Sequence, residues 1–497
     1  MKDLQDLVQI VTRPKLKSVH LLDTEVTDSS SKLSEFYHHL VEGSFESDDE
    51  AAYHFYQKEK SCPAYQKLRT TIKDRLVKSL FLIDLKKASY AVRQKAYYES
   101  YSEWAAAKIL FGKQASTVAI SLSQKLLKLA KKFEFTELAV DITHTLRLYY
   151  GTIEGDYKKY QKYNEMFKYY EQLWILENRA EEYYTDLSIR FVNSKASDVD
   201  VQKIAWEHFQ ELAPYLEKYN SYQLHFCTYL IKVGIYTLTN NHEKIIEACE
   251  SAILFFRGKS YSARLPFQAF YYKQAISYFQ VRNFDACIEA AEKCESFIEK
   301  GSFNWFKVRE VYLLVKLHKK NAEIPHEILE TVLSNDKFDN LPANVQEFWK
   351  ILEAYLQFVK FCQEDQGSDG QSFRIAKFLN EIEVFAKDKK GMNISVQVLK
   401  ILVNLLKRNH DDLIESMDAI NQYRKRYLQK EDTQRSNLFF KMLLVIPRKG
   451  FQRNEVEKAA QKYIDELDRV PLKVMNQTYQ LEIVPYEKLW ALALDLI

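Results

Sequence analysis

The sequence predicts an all-α protein, an α-α superhelix of stacked helical hairpins closed by capping helices at both ends. Three observations predict it. Helix-breaking junctions recur near Lys113-Ser116, Glu154-Asp156, Asn193-Ser197, Asn240-His242, Arg282-Phe284, Lys320-Ala322, Gln366-Asp369 and Arg408-His410. The steps between Ser116, Tyr157, Asp198, His242, Phe284, Ala322, Gln366 and His410 are 41, 41, 44, 42, 38, 44 and 44 residues. Each junction is followed by a similar small and apolar stripe at helical spacing, and a single hairpin has no way to bury such a stripe except against its neighbours. Finally, the 497 residues contain only 11 Gly and 9 Pro, far fewer turn formers than a sheet-rich chain of this length requires.

Residues 1–60 read as an N-terminal cap. The apolar stretch Leu7 to Val11 precedes Pro14, and a polar link through Thr27 and Ser31 leads to helices near Ser34–Val41 and Asp48–Glu59. Ser47 before Asp48, Asp49 and Glu50 is a helix start, because a side-chain acceptor and early carboxylates satisfy orphan amides and oppose the helix dipole. By the same reasoning Ser61 is expected to cap a helix that holds Pro63 in its first turn and runs to about Leu85.

Residues 61–430 are expected to form the hairpin array. With Asn283-Phe284 laid on Asn241-His242 and Asn409-His410, Ile288, Ile246 and Ile414 coincide, as do Glu289, Glu247 and Glu415. The phrase from Tyr278 to Glu289 resembles the end of the first helix, the polar turn and the start of the second helix in the tetratricopeptide-repeat superfamily. Cys287 and Cys294, seven apart, stand where that family places small residues so that helices approach closely. The resemblance implies a TPR-like solenoid that binds proteins or peptides, with a regulatory role among its uses. Two departures are evident: the period exceeds the family's usual 34 or so residues, and the first-helix glycine is mostly missing. Residues 431–497 read as a C-terminal helical cap, with helices expected over Asp432–Ile446, stopped by Pro447 and Gly450, over Asn454–Leu467, and over Tyr486–Ile497. Between the last two, Tyr479 to Val484 reads as an extended piece.

The six cysteines lie on helical segments without close pairing, which reads as free thiols in a reducing compartment. Met1 to Asp6 lacks the apolar run of a signal peptide, and no run of about 18 uncharged apolar residues occurs, so the expected location is cytoplasmic with no membrane partner. Nucleotide hydrolysis is disfavoured, since phosphate cradles need Gly-rich loops and the chain has none. His242 and His326 each precede a glutamate but lack the second imidazole of a zinc-protease helix, and His326 with Glu330 reads as a surface pair. His38-His39 with Glu42 is the densest imidazole group, although adjacent residues point to different sides of a helix. No cofactor, metal or catalytic residue is assigned, and the chain reads as a non-enzyme.

Two binding readings remain. In the first, a protein or peptide partner lies along the first helices of the hairpins, against Tyr229, Tyr236, Tyr271, Tyr272, Tyr278 and Tyr312. In the alternative, a nucleic acid lies on the basic segment 61–132 through Lys67, Arg69, Lys73, Arg75, Lys125, Lys128 and Lys132. That segment carries 15 Lys and Arg against 4 Asp and Glu (15 − 4 = +11), while the whole chain is only +3. A second block, 421–453, carries 9 against 2 (9 − 2 = +7). The contrasting interpretation is that these lysines are the solvated faces of amphipathic helices.

Overall fold

A computed structural model describes residues 1–12, 31–82, 92–193, 199–319, 326–363, 392–429, 433–470 and 482–497. These residues form 21 α-helices with short 3₁₀ and π turns, and no strand occurs among them. The chain is all-α, as the turn-poor sequence predicts.

Contacts divide the chain into two units, Met1–Trp174 with Ser260–Ser262, and Ile175–Lys259 with Ala263–Ile497. The first holds α1 (Lys2–Thr12), α2 (Lys32–Glu42), α3 (Asp48–Tyr56), α4 (Pro63–Ser79), α5 (Val92–Gly112), α6 (Ser116–Phe133), α7 (Thr136–Leu148) and the start of α8 (Tyr157–Asn193). Helices α1 to α4 share one core in which Leu4, Val8, Phe36, Leu40, Phe55, Tyr65, Leu68, Ile72 and Leu76 are buried. Ser31 and Ser47 cap α2 and α3 by accepting from the amides of Ser34 and Glu50. At α4 the N-cap is Cys62 rather than the expected Ser61, with Pro63 the first helical residue, where its missing amide costs nothing. The helix ends at Ser79, short of the expected Leu85.

The second unit contains the rest of α8, then α9 (Val199–Lys218), α10 (Tyr222–Leu238), α11 (His242–Arg257), α12 (Arg264–Gln280), α13 (Phe284–Glu295), α14 (Phe303–His318), α15 (His326–Leu333), α16 (Ala343–Gln363), α17 (Met392–Leu406), α18 (His410–Tyr427), α19 (Gln434–Arg448), α20 (Arg453–Arg469) and α21 (Tyr486–Asp495). From α9 to α14 each helix packs chiefly on its neighbours in sequence, and α12 also meets α14. Small residues allow the closest approaches: Cys287, Ala290, Ala291 and Cys294 on α13 are all buried.

Four of the junctions share one geometry. Gln114, Asn240, Arg282 and Arg408 adopt left-handed φ angles of 61°, 49°, 59° and 55°. In each case the following amide bonds back to the carbonyl five residues earlier, as from Asn241 to Tyr236 and from Asn283 to Tyr278. The next helix then begins one residue later. Ser116, Tyr157, His242, Phe284 and His410, the reference positions that fall among the described residues, are each the first residue of a helix. Asp198, Ala322 and Gln366 lie outside them, as do residues 479–481, the first half of the extended piece expected at Tyr479 to Val484.

Two expectations are corrected. The period starting at Tyr157 is not a hairpin but the single 37-residue helix α8, because Tyr157 to Asn193 contains no Gly or Pro to break it. Pro447 does not stop its helix either. It lies inside α19, in the last turn, and the chain reverses beyond it at Gly450 and Phe451, both with φ of 57°.

Candidate functional site

The basic segment is less bare in space than in sequence. Arg69 on α4 bonds Asp48 on α3 through Nε at 2.8 Å and Asp3 on α1 through Nη2 at 2.6 Å, and Lys73 reaches Asp3 at 2.9 Å. Burial alone would raise the Asp48 carboxyl, but bonds from the N-terminal ammonium, Tyr65 and Arg69 outweigh it and hold the group down to about 2. On α5 to α7, Lys125 pairs with Glu103 at 2.8 Å and Lys108 with Asp141 at 2.7 Å. Lys67, Lys128 and Lys132 are exposed, and Arg75 is half-buried. Three of the segment's cations, Arg69, Lys73 and Lys108, therefore meet carboxylates that helix packing brings in from α1, α3 and α7. Asp3, Asp48 and Asp141 lie outside the counted segment, so a linear sum misses them.

The six tyrosines do lie on alternate helices, Tyr229 and Tyr236 on α10, Tyr271, Tyr272 and Tyr278 on α12, and Tyr312 on α14. Several are committed inside the array. Tyr271 is buried and its hydroxyl accepts from Arg257 Nη2 at 2.7 Å. Tyr278 donates to Glu250 at 3.4 Å, and burial with that carboxylate raises its phenol above the usual range. Tyr229 meets Phe270 edge to face at 6.2 Å. Tyr312 is half-buried beneath the Arg309 guanidinium, 5.5 Å from its ring centre. These side chains act first as wedges between helices.

Tyr236 is different, because it borders an exposed aromatic surface that tyrosine counting misses. Trp206 on α9 is 40% exposed. Its ring stands perpendicular to Tyr236 at 6.4 Å and to Phe209 at 5.8 Å. Lys232 lies 5.8 Å from the Phe209 ring centre and Lys244 lies 5.5 Å from that of Tyr236. Helix periodicity explains the grouping, since Trp206 and Phe209 are three apart on one face of α9. The sequence signal that marks this surface is a tryptophan on a second-helix face, away from the first-helix tyrosines.

Other buried titratable groups sit in packed surroundings. His225 stacks on Phe255 at 3.6 Å and donates from Nδ1 to the Ser221 carbonyl at 2.8 Å, and burial holds its imidazole down to about 4. Glu310 on α14 is fully buried and bonds Lys307 at 2.9 Å. Cys227, Cys249, Cys287 and Cys294 are free and buried, and burial pushes their thiols up to about 12. No helix among the described residues is long and apolar enough to cross a membrane.

Compared with protein-family models, curated proteins and solved structures, the chain matches none.

Proposed function

We propose that this protein is a non-catalytic helical-repeat scaffold, built as a TPR-like α-α superhelix, that binds a protein or peptide at the Trp206, Phe209 and Tyr236 surface. The observation that carries the reading is Trp206. A tryptophan two-fifths open to solvent, backed by two further rings, is the kind of anchor that dominates recognition energetics. Lys232 and Lys244 flank it, and neither is ion-paired to a carboxylate among the described residues. An apolar residue followed by acidic residues is the complementary ligand, its side chain on the rings and its carboxylates at the two ammonium groups. The tight pairing of Arg69, Lys73 and Lys125 favours this surface over the basic segment as the binding site.

The test is a panel of peptides, each with a Leu or Phe anchor, flanked either by Asp and Glu or by Lys and Arg. The acidic set should bind the full chain, and Trp206→Ala should weaken it by about 2 kcal/mol, roughly 30-fold. Lys232→Glu with Lys244→Glu should invert the preference. Equal binding of both sets, or affinity untouched by Trp206→Ala, refutes the proposal.

A further inference from the structure

Helices α2 and α3 bring together three side chains that linear spacing keeps apart. Glu35 and His39 are four residues apart on α2, so they share one face, and His54 arrives from α3. One ligand atom from each of the three lies within 4.8 Å of the others, and no other such group of three or more His, Cys, Asp or Glu occurs among the described residues. His38 and Glu42, the neighbours in sequence, take no part. His38 packs its ring at 6.0 Å from Tyr37, and Glu42 accepts a bond from Ser44 at 3.4 Å.

The separations fit a small tetrahedral cation. Ligand atoms at about 2.0–2.1 Å from zinc lie about 3.3 Å from one another, and His54 Nε2 already stands 3.2 Å from Glu35 Oε1. The His39 and His54 rings meet edge to face at 5.0 Å, and the Phe45 ring closes one side at 4.9 Å from His39. A hydrogen bond accounts for His54 and Glu35, but it leaves His39 unexplained. His39 Nδ1 is buried with no hydrogen-bond partner, an arrangement that burial penalises unless something else engages the imidazole. The opposite side is open, since the His54 and Glu35 side chains are 44% and 50% exposed. That opening gives a cation a path in and a water molecule the fourth position.

We propose that Glu35, His39 and His54 form a Zn²⁺ site that staples α2 to α3 within the N-terminal core. Two imidazoles and one carboxylate suit this borderline cation better than the hard, oxygen-seeking Mg²⁺ or Ca²⁺. Bound metal holds the two helices at fixed separation. The proposal is independent of the Trp206 surface, which lies on other helices.

The experiment measures Zn²⁺ binding to the chelator-treated full chain by equilibrium dialysis, together with the visible spectrum of Co²⁺ added in its place. The native chain should take one equivalent with the intense absorption of tetrahedral Co²⁺, and Zn²⁺ should raise its melting temperature. His54→Ala and Glu35→Gln, at exposed positions, should keep the native circular dichroism but bind at least tenfold more weakly and lose the thermal shift. His38→Ala and Cys62→Ala should bind like the native chain. Unchanged affinity in His54→Ala and Glu35→Gln, or a weak octahedral Co²⁺ spectrum in the native chain, overturns the site.

Discussion

A carboxylate with no exposed surface, Glu310, shows how a single residue couples this fold to pH. Burial pushes its carboxyl up to about 7 from an ordinary 4.5, with the Lys307 ammonium pulling in the opposite direction. The folded chain thus holds this proton more tightly than the unfolded chain does, so the group's contribution to stability is complete below pH 4.5 and is lost as pH rises through about 7. The loss is about 3 kcal/mol. Glu310→Gln should flatten the fall in melting temperature between pH 5 and 8, and an unchanged slope would show that Lys307 compensates fully. Arg435 presents the opposite case, a buried charge with its donors engaged. Its guanidinium bonds Glu482, Glu487 at 2.7 Å, and the carbonyls of Leu467 and Val470 at 2.9 and 2.8 Å. Arg435→Ala strands the Glu482 carboxylate in the interior and should cost about 3–5 kcal/mol in denaturant titration. Arg435→Lys should recover little of it, because an ammonium lacks the planar fork.

At the scale of the element, the decisive feature is the two-residue junction. Those at Gln114, Asn240, Arg282 and Arg408 are made without glycine, although a side chain in the left-handed region costs on the order of 1 kcal/mol. Arg282→Gly should therefore stabilise the chain by up to about 1 kcal/mol, and destabilisation on thermal melting would mean that the Arg282 side chain contributes contacts of its own. At the adjoining position, Asn283 Oδ1 accepts from the Ala286 amide at 3.2 Å, so Asn283→Ala should cost about 1 kcal/mol through the lost cap. The junctions were legible in sequence because polar residues with local hydrogen-bonding side chains stand between apolar stripes. Helix α8 was not, since periodicity reports where a helix ends only when a breaker is present. Its 37 residues contain none.

At the scale of the whole molecule, helices that pack mainly on sequence neighbours keep the effects of a change local. Arg435→Ala should speed amide exchange in α19 to α21 while leaving α1 to α4 at native protection. Faster exchange throughout would show that the chain unfolds as one cooperative block. The same neighbour packing reorganises charge. Residues 61–132 look strongly cationic along the chain, but Asp3, Asp48 and Asp141 come from elsewhere to meet Arg69, Lys73 and Lys108. The candidate surface is likewise a product of packing: Trp206 and Phe209 share a face of α9, three residues apart, but neither stood out in the sequence, and their meeting with Tyr236 depends on how α9 lies against α10.

Sequence by itself determined that the chain is helical and where many of its helices begin, because breakers, caps and apolar periodicity act over a few residues and need no distant partner. Cys287 and Cys294 were readable as packing positions through the resemblance to the tetratricopeptide repeat, which places small residues at such positions. Only the tertiary structure decided which charges are neutralised, which tyrosines are committed to the interior, and that His54 joins Glu35 and His39. Each of those outcomes depends on distances between helices, and a distance between helices is set by the side chains of both, which no local pattern in either one contains.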